Sequence, residues 1–447
     1  MTPTRRRVLF TSYWISPRSA IGTIRSGHIL RYLPQFGWEV DAVTAHFNGQ
    51  HPPGGNVRYT QTGYWDLKGG IKQLAGIGDR STSHMLSLPD RRANGKRSVL
   101  GSAVRFAADL VTYPDEYVGW LPFATHAVRR LLSSGKYDAL LTSSPPVTTN
   151  VIAALAHGGV PWIADLRDLW AEDDSSDHSF MRTVLDRKLE RATLSRAAML
   201  VASSDLSAER FRRRYPGKPC HAISTGYEPQ EWEGIEFGAE TACTLLYAGT
   251  WYHGKRDPKL FFSVLRRLFD EGAVAREQLR VDFYSPCEPW LVQMVEEHEL
   301  QGVVRIHGAI DRKTVLAAER RADRLLLFSW DGATAEGIVP GKLFEYFGAR
   351  RPILAIGGTP VSSVQRLLRE TGAGVRCVRE EEVRAQVIAA VDEHRHGPRT
   401  LAADAVRFYT AERCAAAFAA LLDLAADTTA ATPSPANTQK YGITGKR

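Results

Sequence analysis

Cysteine is scarce in this 447-residue chain: Cys220, Cys243, Cys287, Cys377 and Cys414 stand far apart, with no CxxC pair among them. That spacing offers neither a disulfide framework nor a structural zinc site, and it fits a reducing compartment. Long apolar runs are missing too, since none reaches the ~18 residues of a membrane-spanning helix. The start MTPTRRRVLFTSYW is basic, but its short apolar run meets Ser16, Pro17 and Arg18 in place of a cleavage site. A cytoplasmic protein is expected. There is no Walker A loop, no G-x-S-x-G elbow and no H-E-x-x-H, so P-loop, serine-hydrolase and zinc-protease chemistries lose their central residues. No G-x-G-x-x-G follows the first apolar run, which weakens a dinucleotide reading.

What is present describes a globular protein of two ordinary domains, 44% hydrophobic and 24% charged. The formal charge of +8 is concentrated at Arg5–Arg7, in the last twenty residues, and between Lys68 and Arg105. In that middle stretch eight basic residues face only Asp79 and Asp90. The remainder is slightly acidic, which argues against nucleic acid as a partner.

The apolar runs RVLFTS (7–12), EVDAVTA (39–45), DALLTSS (138–144), PWIADL (161–166), AAMLVASS (197–204) and CHAIST (220–225) alternate with helical-period segments. This is the βαβ rhythm of an open parallel sheet. After a linker at 226–242 the rhythm restarts with TLLYAG (244–249), RVDFYS (280–285), VRIHGA (304–309), RLLLFS (324–329) and RPILAIG (351–357). The expectation is an α/β protein with two doubly wound, Rossmann-like domains, 1–225 and 243–405, facing a cleft. A closing helix is expected at 406–427 and a disordered tail at 428–447.

Two segments of the second domain carry chemistry. In PGKLFEY, Pro340 and Gly341 open a helix whose first N–H groups can point at an anion, and Lys342 adds a cation. Glu345, one turn on, can accept two hydroxyl donors. A phosphate beside a vicinal diol is the chemistry of a ribonucleoside diphosphate. An exposed ion pair on an amphipathic helix would give the same spacing. In LLYAGTWYHGKRDP, Gly249 and Gly254 permit tight turns around Thr250, and Lys255 and Arg256 precede a helix, placing two cations where a diphosphate could sit.

With these segments in hand, nearly the whole ordered chain resembles the retaining glycosyltransferases of the GT-B fold, most nearly the family 4-like group. The resemblance implies that Glu345 holds the ribose, that Lys255, Arg256 and Lys342 face the diphosphate, and that Gly249, Thr250 and Gly341 line the donor site. It also implies a donor-sugar contact for Glu336, although eight residues separate it from Glu345 where the family often has seven. In the first domain, PRSAIGTIRSGHILRYLPQFGWEVDAVTA is similar to the family's acceptor-side loop and helix, which places Gly22, Thr23 and Arg25 at the cleft. PDEYVGW (114–120), SSPPVTTN (143–150) and IADLRDLW (163–170) are similar to further segments of the group. They add Asn150, where some relatives have histidine, and Asp165 and Arg167, which could equally fix a loop. His28, on an apolar helix, reads as structural.

The resemblance implies transfer of a sugar from a nucleoside-diphosphate sugar to an alcohol, with no cofactor. No metal is expected, because no Asp-x-Asp pair follows a hydrophobic strand. The acceptor is open between a soluble natural-product core and a lipid-linked sugar of a cell-surface glycan. For the latter, residues 68–105 would dock peripherally on the inner face of an anionic membrane. A nucleotide-sugar epimerase and a catalytically silent nucleotide-sugar binder use the same architecture and are the competing readings.

Overall fold

The computed structural model describes residues 5–15, 21–45, 56–67, 112–172, 180–238, 240–252, 255–330, 336–359, 361–397 and 399–430. The basic stretch 68–105 and residues 431–447 lie outside them. Two compact units result. One holds the described residues up to Ser203, Ala208–Ile223 and the chain from Ala415; the other holds Ser204–Ser207 and Ser224–Cys414.

The first unit is built on seven strands: β1 (Arg6–Thr11), β2 (Trp38–Ala45), β3 (Arg58–Thr62), β4 (Ala139–Ser144), β5 (Trp162–Leu166), β6 (Met199–Ala202) and β7 (Cys220–Ala222). They pair in the order β3-β2-β1-β4-β5-β6-β7, every neighbour parallel. Parallel sheets are covered on both faces, so central strands read as continuous apolar runs, and β4 is buried at every position. The helices are α1 (Ile21–Tyr32), α2 (Leu121–Leu132), α3 (Thr148–Ala156), α4 (Phe180–Leu194) and α5 (Asp205–Arg214). Asp115 of the PDEYVGW segment holds the first turn of α3, accepting from the backbone N–H and the hydroxyl of Thr148 at 2.8 Å each.

Six strands make the second sheet: β8 (Cys243–Ala248), β9 (Leu279–Tyr284), β10 (Val304–Ile306), β11 (Arg324–Phe328), β12 (Ile353–Ile356) and β13 (Gly374–Cys377). Their order is β10-β9-β8-β11-β12-β13, again parallel throughout. The order reverses between β8 and β11, and in such sheets the loops beyond the carboxyl ends of the strands at that point form the ligand crevice. Around the sheet lie α6 (Lys259–Asp270), α7 (Pro289–Glu297), α8 (Arg312–Arg321), α9 (Gly341–Ala349), α10 (Ser363–Thr371) and α11 (Glu380–Arg395). Helix α6 shows why the layers hold. Phe261, Phe262, Val264, Leu265 and Leu268 recur at helical spacing and are buried. Each such side chain is worth ~1.5–3 kcal/mol when fully removed from water.

Two strands escape the apolar pattern. RYTQT (β3) is a partly exposed polar edge strand, and GVRC (β13) is four residues opened by glycine. The C-terminal end also differs from expectation. A short α12 (Ala403–Val406) comes first, and the last helix, α13, runs Ala411–Ala430. It therefore takes in three residues of the expected tail. From Ala415 it packs with the first unit, where Asp423 accepts from Arg6 at 2.9 Å. No described helix is long and apolar enough to cross a membrane. All five cysteines are free thiols, and only Cys287, on the loop after β9, is exposed.

Candidate functional site

Helix α9 is fixed by its apolar face and by one phenol. Leu343, Phe344, Tyr346 and Phe347 are buried, and the Tyr346 hydroxyl accepts from the Ala248 N–H and donates to the Leu326 carbonyl, both at 3.1 Å. That phenol ties the helix to β8 and β11, the strands flanking the switch point. The helix start carries no side-chain cap on Pro340, so its first turn keeps the positive end of its dipole uncapped by a side chain. Packing also dictates Gly348, because a Cβ there would sit 2.1 Å from the indole nitrogen of buried Trp232.

Around the first turn of this helix lies a cluster of two cations and three carboxylates. Lys342 is paired with Glu345 and lies 3.6 Å from Glu319. Arg312, at the start of α8, donates to the other Glu345 oxygen at 2.5 Å and clasps Glu231 with Nη2 at 2.6 Å and Nε at 3.1 Å. Burial opposes ionisation of Glu345, yet Lys342, Glu319 and Arg312 bring its carboxyl down to about 2. Glu319 is its counterpart. Wholly buried, with both oxygens outside any regular hydrogen bond, it is pushed well above the usual carboxylate range by desolvation and by the Glu345 charge. Glu345 is thus an ionised acceptor, and Glu319 behind it holds its proton more tightly than an ordinary carboxyl.

The loop after β8 reaches the same sheet edge. Gly249 has φ 155°, and a Cβ on it would meet the Tyr247 hydroxyl at 3.1 Å. That hydroxyl donates to the Thr250 carbonyl at 2.9 Å, and Arg256 Nη1 donates to the same carbonyl at 3.1 Å. Arg256, 9% exposed, also lies over the Tyr252 ring at 4.7 Å. It is therefore a brace for the loop, whereas the exposed Lys255 presents its ammonium 5.1 Å from the Trp330 ring centroid. Arg256 Nη1 also donates to the Tyr247 hydroxyl at 3.3 Å, and that phenol is raised chiefly by burial, against the opposing fields of Arg256 and Lys342. Glu336 is half-buried, one turn before α9 in sequence.

In the first unit the expected acceptor-side residues make dense contacts with one another and with the sheet. Arg25 and Asp165, 2% and 0% exposed, form a two-pronged pair at 2.9 and 2.7 Å, and Ser143 adds a hydrogen bond to the carboxylate at 2.8 Å. Asn150, fully buried, accepts from Thr142 at 3.0 Å and donates to Ser144 at 2.9 Å. Arg167 does not pair closely with Asp165; it donates to the Ser144 and Pro145 carbonyls at 3.0 and 2.7 Å. These contacts bind α1, β4, α3 and β5 together through Arg25, Asn150 and Asp165. Thr23 is buried on α1, and Gly22 lies in its first turn.

Glu231, Arg312 and Glu319 were not among the expected site residues. The sequence holds one signal for Glu319: it falls three residues after buried Leu316, on the inward stripe of α8.

Comparison with known proteins agrees with this architecture. Residues 23–226 match the model of the glycosyl transferase 4-like domain. A search of curated proteins by sequence finds no match. Among solved structures, a sucrose-phosphate synthase from Thermosynechococcus elongatus superimposes with a TM-score of 0.60 at 14% identity, covering 96% of this chain and 100% of the other. An E. coli trehalose-6-phosphate protein, bound with UDP-2-fluoro glucose, gives 0.59 at 12% identity over 93% and 98%. The lipopolysaccharide outer core galactosyltransferase WaaB gives 0.57 at 11% over 93% and 99%.

Proposed function

We propose that this chain, which has the GT-B fold and over residues 23–226 matches the model of the glycosyl transferase 4-like domain, moves a sugar from a nucleoside diphosphate to an alcohol with retention at the anomeric carbon. The observation that carries the reading is Glu345, an ionised carboxylate held between Lys342 and Arg312 beside the uncapped start of α9. Glu345 would take the ribose hydroxyls. Lys342, Lys255 and the helix N-terminus would take the diphosphate, and Gly249 and Gly341 let the backbone approach it. Glu336 is proposed to touch the donor sugar. Arg256 acts at one remove, by holding the Thr250 carbonyl and the loop.

The reaction breaks the bond between the anomeric carbon and the phosphate oxygen, and negative charge grows on the leaving diphosphate. Fixed donors aimed at that charge are worth ~3 kcal/mol each when they are already in place. The acceptor hydroxyl attacks on the same face and passes its proton to the departing phosphate oxygen. No side-chain base is then required, and no metal is invoked. The acceptor is proposed to be an alcohol of a glycan or natural-product pathway, soluble or lipid-linked; co-sedimentation with anionic vesicles at low and high salt separates the two.

Calorimetric titration with UDP, GDP, dTDP and ADP, repeated with Glu345→Ala, tests the core of the reading. One diphosphate is expected to bind and the variant to lose most of that affinity. Failure of all four to bind wild type would remove it. Product analysis with an acceptor panel then separates transfer from epimerisation and from silent binding.

A further inference from the structure

Glu345 is not simply available to a diol; both of its oxygens already carry a cation. Lys342 engages Oε1, and Arg312 engages Oε2 at 2.5 Å. A carboxylate has about four acceptor positions, so these two bonds leave roughly one on each oxygen. Two remaining acceptors on one rigid carboxylate match the two hydroxyls of a vicinal diol. Lys342 alone would not fix the carboxylate plane, because an ammonium is a point charge on a flexible stem. Arg312 can, because its guanidinium is planar and is itself clasped by Glu231 through two nitrogens. Glu231 sits in the short 3-10 turn Pro229–Trp232, and Trp232 of that turn is buried. The anchor therefore stands on fixed backbone.

We propose that Arg312, held by Glu231, is a positioning residue that sets the orientation of the Glu345 carboxylate and so makes the site selective for ribonucleoside over 2′-deoxyribonucleoside diphosphates. This rests on the nucleoside-diphosphate reading given above. The side chain of Arg312 is 47% exposed, so its removal need not disturb the core. Its effect passes through Glu345.

The test is calorimetry with UDP, GDP and ADP, each beside its 2′-deoxy analogue, and with dTDP. Wild type is expected to prefer the ribonucleotide by about tenfold or more, the scale of a hydrogen bond to a charged acceptor. In Arg312→Met that ratio should fall to about threefold or less. Glu231→Gln should fall between, and Arg312→Lys should rescue only part, since it restores charge without the fork. Circular dichroism and melting curves confirm that each variant is folded. A wild-type preference left unchanged in both Arg312→Met and Glu231→Gln overturns the inference while leaving nucleotide binding in place. Equal binding of ribose and deoxyribose forms by wild type does so too. If wild type binds no nucleoside diphosphate at all, the functional reading itself has failed, and the inference goes with it.

Discussion

Each unit of this protein holds an arginine–carboxylate pair at the carboxyl side of its sheet, and the two pairs are put to opposite uses. Arg25 and Asp165 are sealed, and Ser143 supplies a further bond to the carboxylate. Arg312 and Glu345 are open on the arginine side, and acceptor capacity remains on the carboxylate. Burial with saturation marks a pair that holds elements together. Exposure with capacity to spare marks one that can receive a ligand. Residue type alone does not distinguish them.

The largest test of that contrast is Asp165→Asn, which leaves the Arg25 guanidinium buried without its countercharge. Breaking a buried pair in this way costs about 3–5 kcal/mol. The melting temperature should fall by roughly 10 °C, given about 2–4 °C per kcal/mol for units of this size. Loss of glycosyl transfer with unchanged melting would break the contrast. Next in size is Glu345→Ala, which should weaken diphosphate binding by about tenfold or more, the equivalent of a hydrogen bond to a charged group. Its melting temperature should move much less than that of Asp165→Asn.

A third variant, Gly348→Ala, tests the frame beneath the open pair. Its methyl group would press on Trp232, and overpacking of this kind costs about 1–3 kcal/mol. Lower urea midpoints with proportionally retained diphosphate affinity in the folded fraction are the expected result.

The smallest effect is a pH dependence with two signs. Glu345 is held near 2, below its ordinary 4.5, so its stabilisation is present above that ordinary value and is lost as pH falls from 4.5 toward 2. Glu319 is raised, so the folded state keeps its proton longer than the unfolded chain does, and stability declines as pH rises above 4.5 through the folded value. Urea midpoints measured across pH should show the alkaline decline reduced in Glu319→Gln and the acid loss reduced in Glu345→Gln. Matching wild-type and variant profiles would deny the cluster its split protonation.

Most of the fold was legible because fully covered parallel strands must be apolar along their length, as LLYAG, RLLLFS and RPILAIG are. β3 was hidden by its polar edge position, and β13 by its brevity. In the site, Lys342 and Glu345 could be read because both lie on one turn of one helix. Their partners could not. Arg312, Glu319 and Glu231 come from a different helix and a linker turn, and DRKTVLAAER reads locally as an ordinary surface helix. Arg256 shows the converse: adjacent to Lys255, it looked equivalent, yet the Thr250 carbonyl and the Tyr252 ring engage it as scaffold. Neighbouring charges are separated by where the backbone turns, which local sequence does not specify.

The uneven exposure of the cysteines has a practical consequence. Burial pushes the Cys377 thiol up to about 11 and that of Cys243 higher still, while Cys220 and Cys414 are also buried. A thiol-reactive dye should therefore attach to native protein once per chain, at Cys287, since reactivity follows exposure and thiolate content. That residue follows β9, whose carboxyl end lies beside that of β8. The wild-type chain thus carries a single optical reporter at the sheet edge where a nucleotide would dock, ready for fluorescence titration without an engineered cysteine.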